Sequence, residues 1–210
     1  MSNSARERFN FFRYEHKRRF AGYWHQIGEI LRLDPASVLE VGKGSGLVSE
    51  YLRSKRVSLV SMDIDPGLEP DVAGTCSRLP FKDSSFDLAA CFQVLEHLPY
   101  ENFGPALEEM ARVVRRHIVI SLPDAGFMAC FSARLPGIRT LEFMLPLPWF
   151  RRAHVFDGEH YWEINRRGYP LTRVKRDIEK YFKILKTFRT FENPYHRFFV
   201  LKKKSPGSDF

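Results

Sequence analysis

Residues 37–54, SVLEVGKGSGLVSEYLRS, constrain this chain more than any other stretch. The first five have the apolar character of a buried strand. They run into three glycines at alternate positions, Gly42, Gly44 and Gly46, and LVSEYLRS then continues with helical spacing. Glycines at this turn let the backbone come close to a bound ligand. Such a turn offers bare main chain and the unpaired N–H groups of a helix start to anything bound above it. The spacing is GxGxG, unlike the GxGxxG of dinucleotide folds, and the GxxxxGK[ST] of nucleoside-triphosphate loops is absent.

The remaining periodicity builds around this unit. VSLVSMD (57–63), FDLAACF (86–92) and HIVISLP (117–123) read as buried strands, and DVAGT (71–75) as a short one. Residues 14–32 read as an amphipathic helix stopped by Asp34-Pro35, and 102–114 as a second. LTRVKRDIEKYF, from 171, reads as another helix. FKILKTFRTF (182–191) and HRFFVLKK (196–203), joined by ENPY, form an expected antiparallel hairpin. The alternation predicts an α/β fold, a parallel sheet with helices on both faces. The second and third strands are joined too closely for a full helix. Residues 124–157, rich in aromatics, Met and Pro, fit neither a simple strand nor one long helix.

The 210 residues suit one domain. Its expected parts are an N-terminal helical segment (1–34), a ligand-binding core (36–123), a cap insertion (124–170) and a C-terminal helix with the hairpin (171–204). No apolar run approaches the ~18 residues of a membrane span, and the N-terminus lacks a secretory pattern. Cys76, Cys91 and Cys130 show no CxxC spacing. A reduced, cytoplasmic protein is expected. The formal charge of +8 is uneven: residues 1–32 carry +4, 33–133 carry −5 and 134–204 carry +10. Basic flanks favour an anionic partner, although they also suit ordinary solvated faces.

Asp63 closes the strand after the glycine turn. A carboxylate there can accept hydrogen bonds from both hydroxyls of a ribose. With VLEVGKGSG, then VSMDID, then LPFKDSSFDLAACFQVLEHL, the chain resembles a class I S-adenosylmethionine-dependent methyltransferase of the type 11 group, which includes ubiquinone and menaquinone biosynthesis enzymes. The resemblance covers roughly residues 36–123. It implies a Rossmann-like, seven-stranded, mostly parallel sheet whose reversed seventh strand lies beside the sixth, with a substrate-covering insertion after strand five. It implies S-adenosylmethionine as cofactor. Gly42, Gly44 and Gly46 would wrap the methionine and ribose, and Glu40 would hold nearby groups. Asp63 would take the ribose hydroxyls, Ile64 the adenine face, Cys76 and Ser77 the adenine-contacting loop, and Gln93 the methionine end. Thr75 stands where relatives usually carry Asp. Lys43 adds a cation that either points outward or meets the cofactor carboxylate.

Methyl transfer from a sulfonium asks the protein mainly to position and dehydrate two partners, with a base needed only where the acceptor must lose a proton. His97, in VLEHL, and His160 are the candidate bases; the plainer reading of His97 is loop bracing beside Glu96. His154, Tyr161, Trp162 and Glu163, in RRAHVFDGEHYWEINRRGYP, are the candidate substrate residues. The spacing of His154, His160 and Glu163 fits no familiar helix-borne zinc motif, so no metal is expected. LEFMLPLPWFRR (141–152) reads as core over the sheet, a lid, a dimer interface or a membrane-surface contact. The expected function is methyl transfer to a small-molecule, lipid-linked or sugar-linked acceptor. An RNA-directed methyltransferase and a non-catalytic binding protein of the same fold are the alternatives. Nucleic acid is disfavoured because FQVL replaces the [DN]PP[YF]-type tetrad.

Overall fold

The computed structural model describes residues 9, 11–12, 14–134, 136–137, 140–148, 153–156 and 158–204. Helix α1 (Lys17–Arg32) starts at His16, whose Nδ1 accepts from the Arg19 N–H, and stops where Pro35 bars Asp34 from helical φ/ψ. Strand β1 (Ser37–Val41) passes through the glycine turn into helix α2 (Leu47–Ser54). Strands β2 (Ser58–Asp63) and β3 (Val72–Ala73) are joined by a single 3-10 turn, Pro66–Leu68, in place of a helix. Strand β4 (Phe86–Phe92), helix α3 (Phe103–Val113) and strand β5 (Val114–Pro123) follow.

These strands join helix α4 (Leu171–Ile178) and the hairpin β8 (Phe182–Arg189) and β9 (His196–Lys203) in a seven-stranded sheet. Its order is β3-β2-β1-β4-β5-β9-β8. Neighbours from β3 to β5 are parallel, while β9 runs antiparallel to both β5 and β8. The fold is α/β and Rossmann-like with one reversed strand. Its order reverses between β1 and β4, the switch point where open parallel sheets bind ligands.

Both faces of the sheet are covered, so successive strand residues enter different cores. Val38, Leu88, Ala90 and Val119 pack with Ile30 of α1 and Val48 and Leu52 of α2. Leu39, Val41, Ala89, Cys91 and Ile118 pack with Phe103, Leu107 and Met110 of α3 and Val174 and Ile178 of α4. Each fully buried aliphatic side chain contributes roughly 1.5–3 kcal/mol.

The cap region departs from expectation. It contains a second, two-stranded sheet, β6 (Met128–Ala133) paired antiparallel with β7 (Leu141–Pro146). Cross-strand partners put Phe131 opposite Phe143, and Ala129 opposite Leu145, on one ribbon face. Phe143 and Leu145 are 58 % and 55 % exposed, and Leu147 is exposed too. This corrects the reading of these residues as core: they point away from both buried clusters. Trp149, Phe150, Arg151 and Arg152 lie outside the described residues. No described helix is long and apolar enough to cross a membrane.

Candidate functional site

A cavity of about 510 Å³ opens at the switch point, within the ~300–1,000 Å³ range of small-molecule sites. Its floor is the glycine turn. Gly42, Gly44 and Gly46 have φ of 87°, 55° and 80°. The Gly42 and Lys43 N–H groups donate to the Met62 carbonyl at 2.8 and 3.2 Å, which locks the turn to β2. Asp63 stands across from it. Its Oδ2 accepts from the Gly44 N–H at 3.2 Å and its Oδ1 from the Asp65 N–H at 3.0 Å. One hydrogen bond to each oxygen leaves lone pairs for a ligand.

The cavity is lined by Glu40, Gly42, Gly44, Asp63 and Ile64, and by Cys76, Gln93, His97 and Tyr161. Ile64, 77 % exposed, stands at its rim. Gln93 has φ of 54°, a costly conformation for a side-chain-bearing residue that marks the abrupt end of β4. Its Nε2 donates to Ser121 Oγ at 3.1 Å. Gly46 caps α2 and does not line the cavity. Ser77 turns toward a separate surface depression beside Arg112, its hydroxyl 3.0 Å from Thr75 Oγ1, so it does not line the cavity with Cys76. Lys43 Nζ donates to the carbonyls of Leu68 and Glu69 at 3.0 and 2.6 Å, which turns its charge to the 3-10 turn.

Glu40 is buried and accepts a hydrogen bond from Ser49 Oγ. Burial pushes its carboxyl up to about 7, against that hydrogen bond and the charges of Arg53 and Lys43. Folding therefore favours the protonated form. Stability from this group is fully present below 4.5 and is lost as pH rises through about 7. In ligand-free protein the loss is expected to be on the order of 3 kcal/mol. Thermal melts across that window check it: Glu40→Gln flattens the pH profile relative to wild type.

The cap brings the histidines together. His97 and His160 have ring centroids 5.1 Å apart. His97 Nδ1 is 2.8 Å from the Glu159 carbonyl oxygen. His160 Nδ1 is 3.4 Å from Glu163 Oε1, and Glu163 is held in turn by Arg166 Nε at 2.8 Å and by the Tyr195 hydroxyl. Burial raises the Glu163 carboxyl, but bonds from His160, Tyr195 and Arg166 outweigh it and hold the group down at about 2. His154 reaches the His160 carbonyl through Nε2 at 2.7 Å. His154, His160 and Glu163 thus stand behind the cavity wall, while His97 and Tyr161 form it.

Trp162 requires a correction. It is fully buried in the main core, edge-on to Tyr100 and Phe103 at 4.8 and 5.0 Å, and does not face the cavity. The backbone at 164 pairs with Asp124, and this sends Trp162 and Ile164 inward while Tyr161 stays at the wall.

Helix α1 supplies lining residues that local motifs do not reveal: Arg19, Tyr23 and Gln26. Tyr23 Oη lies 3.1 Å from Ser45 Oγ in the glycine turn, and burial drives its phenol well above the usual range. Arg19 Nε is buried without a hydrogen-bond partner among the described residues. His196, on β9, also lines the cavity, and burial pushes it down to about 4. The only hint in the chain was the amphipathic pattern of 14–32, which also suits plain packing.

Residues 39–120 match the family model for a methyltransferase domain. A demethylmenaquinone methyltransferase of Mycolicibacterium gilvum is 31 % identical over 127 residues, covering 55 % of this chain and 52 % of that protein. Its counterpart in Beutenbergia cavernae is 34 % identical over 125 residues, covering 52 % and 50 %. The chain thus spans about half the length of these curated relatives. Among solved structures, a Burkholderia thailandensis 1,6-didemethyltoxoflavin-N1-methyltransferase, crystallised with 1,6-didemethyltoxoflavin and S-adenosylhomocysteine, shares the fold. Its TM-score is 0.65 at 14 % identity, covering 96 % of this chain and 84 % of that one.

Proposed function

Because residues 39–120 match the family model for a methyltransferase domain, we propose that this chain is a class I methyltransferase of the type 11 kind and transfers a methyl group from S-adenosylmethionine to a small-molecule acceptor. The observation that carries the reading is the cavity at the switch point, with the bare main chain of Gly42 and Gly44 on one side and Asp63 on the other. The glycine turn takes the methionine and ribose portion, Asp63 the ribose hydroxyls and Ile64 the adenine face. Gln93 meets the methionine end. Arg19, with its buried unpaired Nε, suits the methionine carboxylate. The acceptor enters between His97 and Tyr161, with His160 behind, and these histidines serve its proton.

The chemistry is a displacement. A lone pair of the acceptor forms a bond to the methyl carbon, the carbon–sulfur bond breaks, and its electron pair returns to sulfur as S-adenosylhomocysteine leaves. The protein contributes orientation and exclusion of water.

Asp63→Ala tests this. Two hydrogen bonds to a charged group are lost at about 1.5–3 kcal/mol each. Affinity for S-adenosylhomocysteine should therefore fall at least about 100-fold by calorimetry. Unchanged affinity in a folded variant would falsify the assignment.

A lipid-linked acceptor reached from a membrane surface is a finer reading, favoured by the exposed apolar ribbon face of Phe131, Phe143 and Leu145. Cosedimentation with anionic vesicles that drops on Phe131→Ser plus Phe143→Ser would support it; binding unaffected by both changes would sink it.

A further inference from the structure

Beside the two histidines at the acceptor end of the cavity lies a carboxyl group that the methyl-transfer reading leaves without a role. Glu96 is fully buried, and neither carboxylate oxygen has a hydrogen-bond partner among the described residues. A carboxyl isolated from water in this way is costly unless something compensates it. His97 and His160 come to the same point. One donor atom from each of Glu96, His97 and His160 lies within 4.8 Å of the other two.

The surroundings of both histidines orient their rings. The Glu159 carbonyl can only accept, so His97 Nδ1 carries the proton and Nε2 keeps the lone pair. Glu163 Oε1, paired through its carboxylate with Arg166, and the Tyr195 hydroxyl both lie 3.4 Å from His160 Nδ1 and orient that ring. A backbone carbonyl on one imidazole and a carboxylate on the other are the outer partners that orient metal-binding histidines. His97 is exposed and borders the cavity, so one side of the trio is open to a ligand.

We propose that Glu96, His97 and His160 bind a divalent transition-metal ion, zinc or manganese, facing the acceptor end of the cavity. Two imidazoles, one carboxylate and an open position suit these ions better than magnesium or calcium, which prefer oxygen ligands. This revises the expectation of no metal, which considered His154, His160 and Glu163. The true juxtaposition swaps a residue pair for Glu96 and His97, which adjoin in sequence and meet His160 only in the fold.

The consequence for the reaction rests on the methyltransferase reading. The ion would take an acceptor through a hydroxyl or phenol oxygen. The ion would supply Lewis acidity there, lowering the pKa of that hydroxyl so that its proton could pass to water. The oxygen then forms the bond to the methyl carbon as the carbon–sulfur bond breaks toward sulfur. In this way the two imidazoles would serve the acceptor's proton through the ion.

The test uses the full chain, stripped with a chelator and titrated with zinc, manganese or cobalt chloride alone. Affinity for S-adenosylhomocysteine is measured on the same preparation. A stoichiometric ion and a visible cobalt absorption band are expected. Glu96→Gln and His97→Ala should each weaken metal binding by more than about 100-fold, the upper range for loss of an outer partner. If Glu96→Gln does not fold, His97→Ala, at an exposed position, carries the comparison. No stoichiometric ion in wild type, or variants that bind it equally well, overturns the site. Metal binding without S-adenosylhomocysteine binding supports the site and overturns the methyltransferase reading instead.

Discussion

Asp124→Ala is expected to cost about 3–5 kcal/mol of stability, the range for breaking a buried ion pair from one side. Asp124 sits at the end of β5, where the cap begins, and its side chain is completely buried. Its Oδ2 accepts from Arg197 Nε at 2.6 Å, and its Oδ1 from Asn165 Nδ2 at 2.8 Å and from the Gly126 N–H at 2.9 Å. Arg189, also buried, lies 3.5 Å away and donates to the carbonyls of Asp124 and Gly126. Alanine would leave two guanidinium groups with no carboxylate between them. Urea denaturation gives the measurement, with Asp124→Asn expected to recover part of the loss by keeping the bond to Arg197. The clasp also ties β5, β8 and β9 to Asn165. Its loss should loosen the segment carrying His160 and Glu163, read as faster amide exchange there. A loss under about 1 kcal/mol, typical of exposed pairs, would mean that the clasp holds nothing.

Gly42→Ala and Gly44→Ala are expected to separate folding from binding. A Cβ at Gly42 would stand 2.3 Å from Val94 Cγ2, at φ of +87°. Overpacking of ~1–3 kcal/mol and left-handed strain of ~1–2 kcal/mol together predict a loss of about 2–5 kcal/mol in a thermal or urea melt. At Gly44, also at positive φ, a Cβ meets nothing within 4 Å. Only the strain of ~1–2 kcal/mol remains there. In the proposed binding mode the new methyl enters the space between main chain and ligand, so affinity for S-adenosylhomocysteine should drop by more than about tenfold, equivalent to 1.4 kcal/mol. Wild-type affinity in folded Gly44→Ala would show that the ligand does not approach this turn.

Much of the core was readable from local pattern. SVLEV, LVSEYLRS and FDLAACF are the observed β1, α2 and β4 with the same bounds. Here apolar periodicity, glycine at positive φ and a following helix all agree within a few residues, so no distant contact is needed to choose among alternatives. The terminal hairpin was legible for the same reason. The cap was not. Strands β6 and β7 show no clear burial alternation, because among the described residues no buried cluster takes in their apolar face.

For the site, residue types and order along the chain determined which groups stand at the ends of β1, β2 and β4: the three glycines, Asp63 and Gln93. Only the tertiary structure decided direction and company. It turned Lys43 to carbonyls of the 3-10 turn, sent Trp162 inward, brought Arg19 and Tyr23 of α1 over the cavity and set His160 beside Glu96 and His97. The physical reason is range. A turn's backbone geometry is dictated by its own residues, whereas side-chain burial and pairing between residues 19 and 45, or 96 and 160, depend on how separate elements pack.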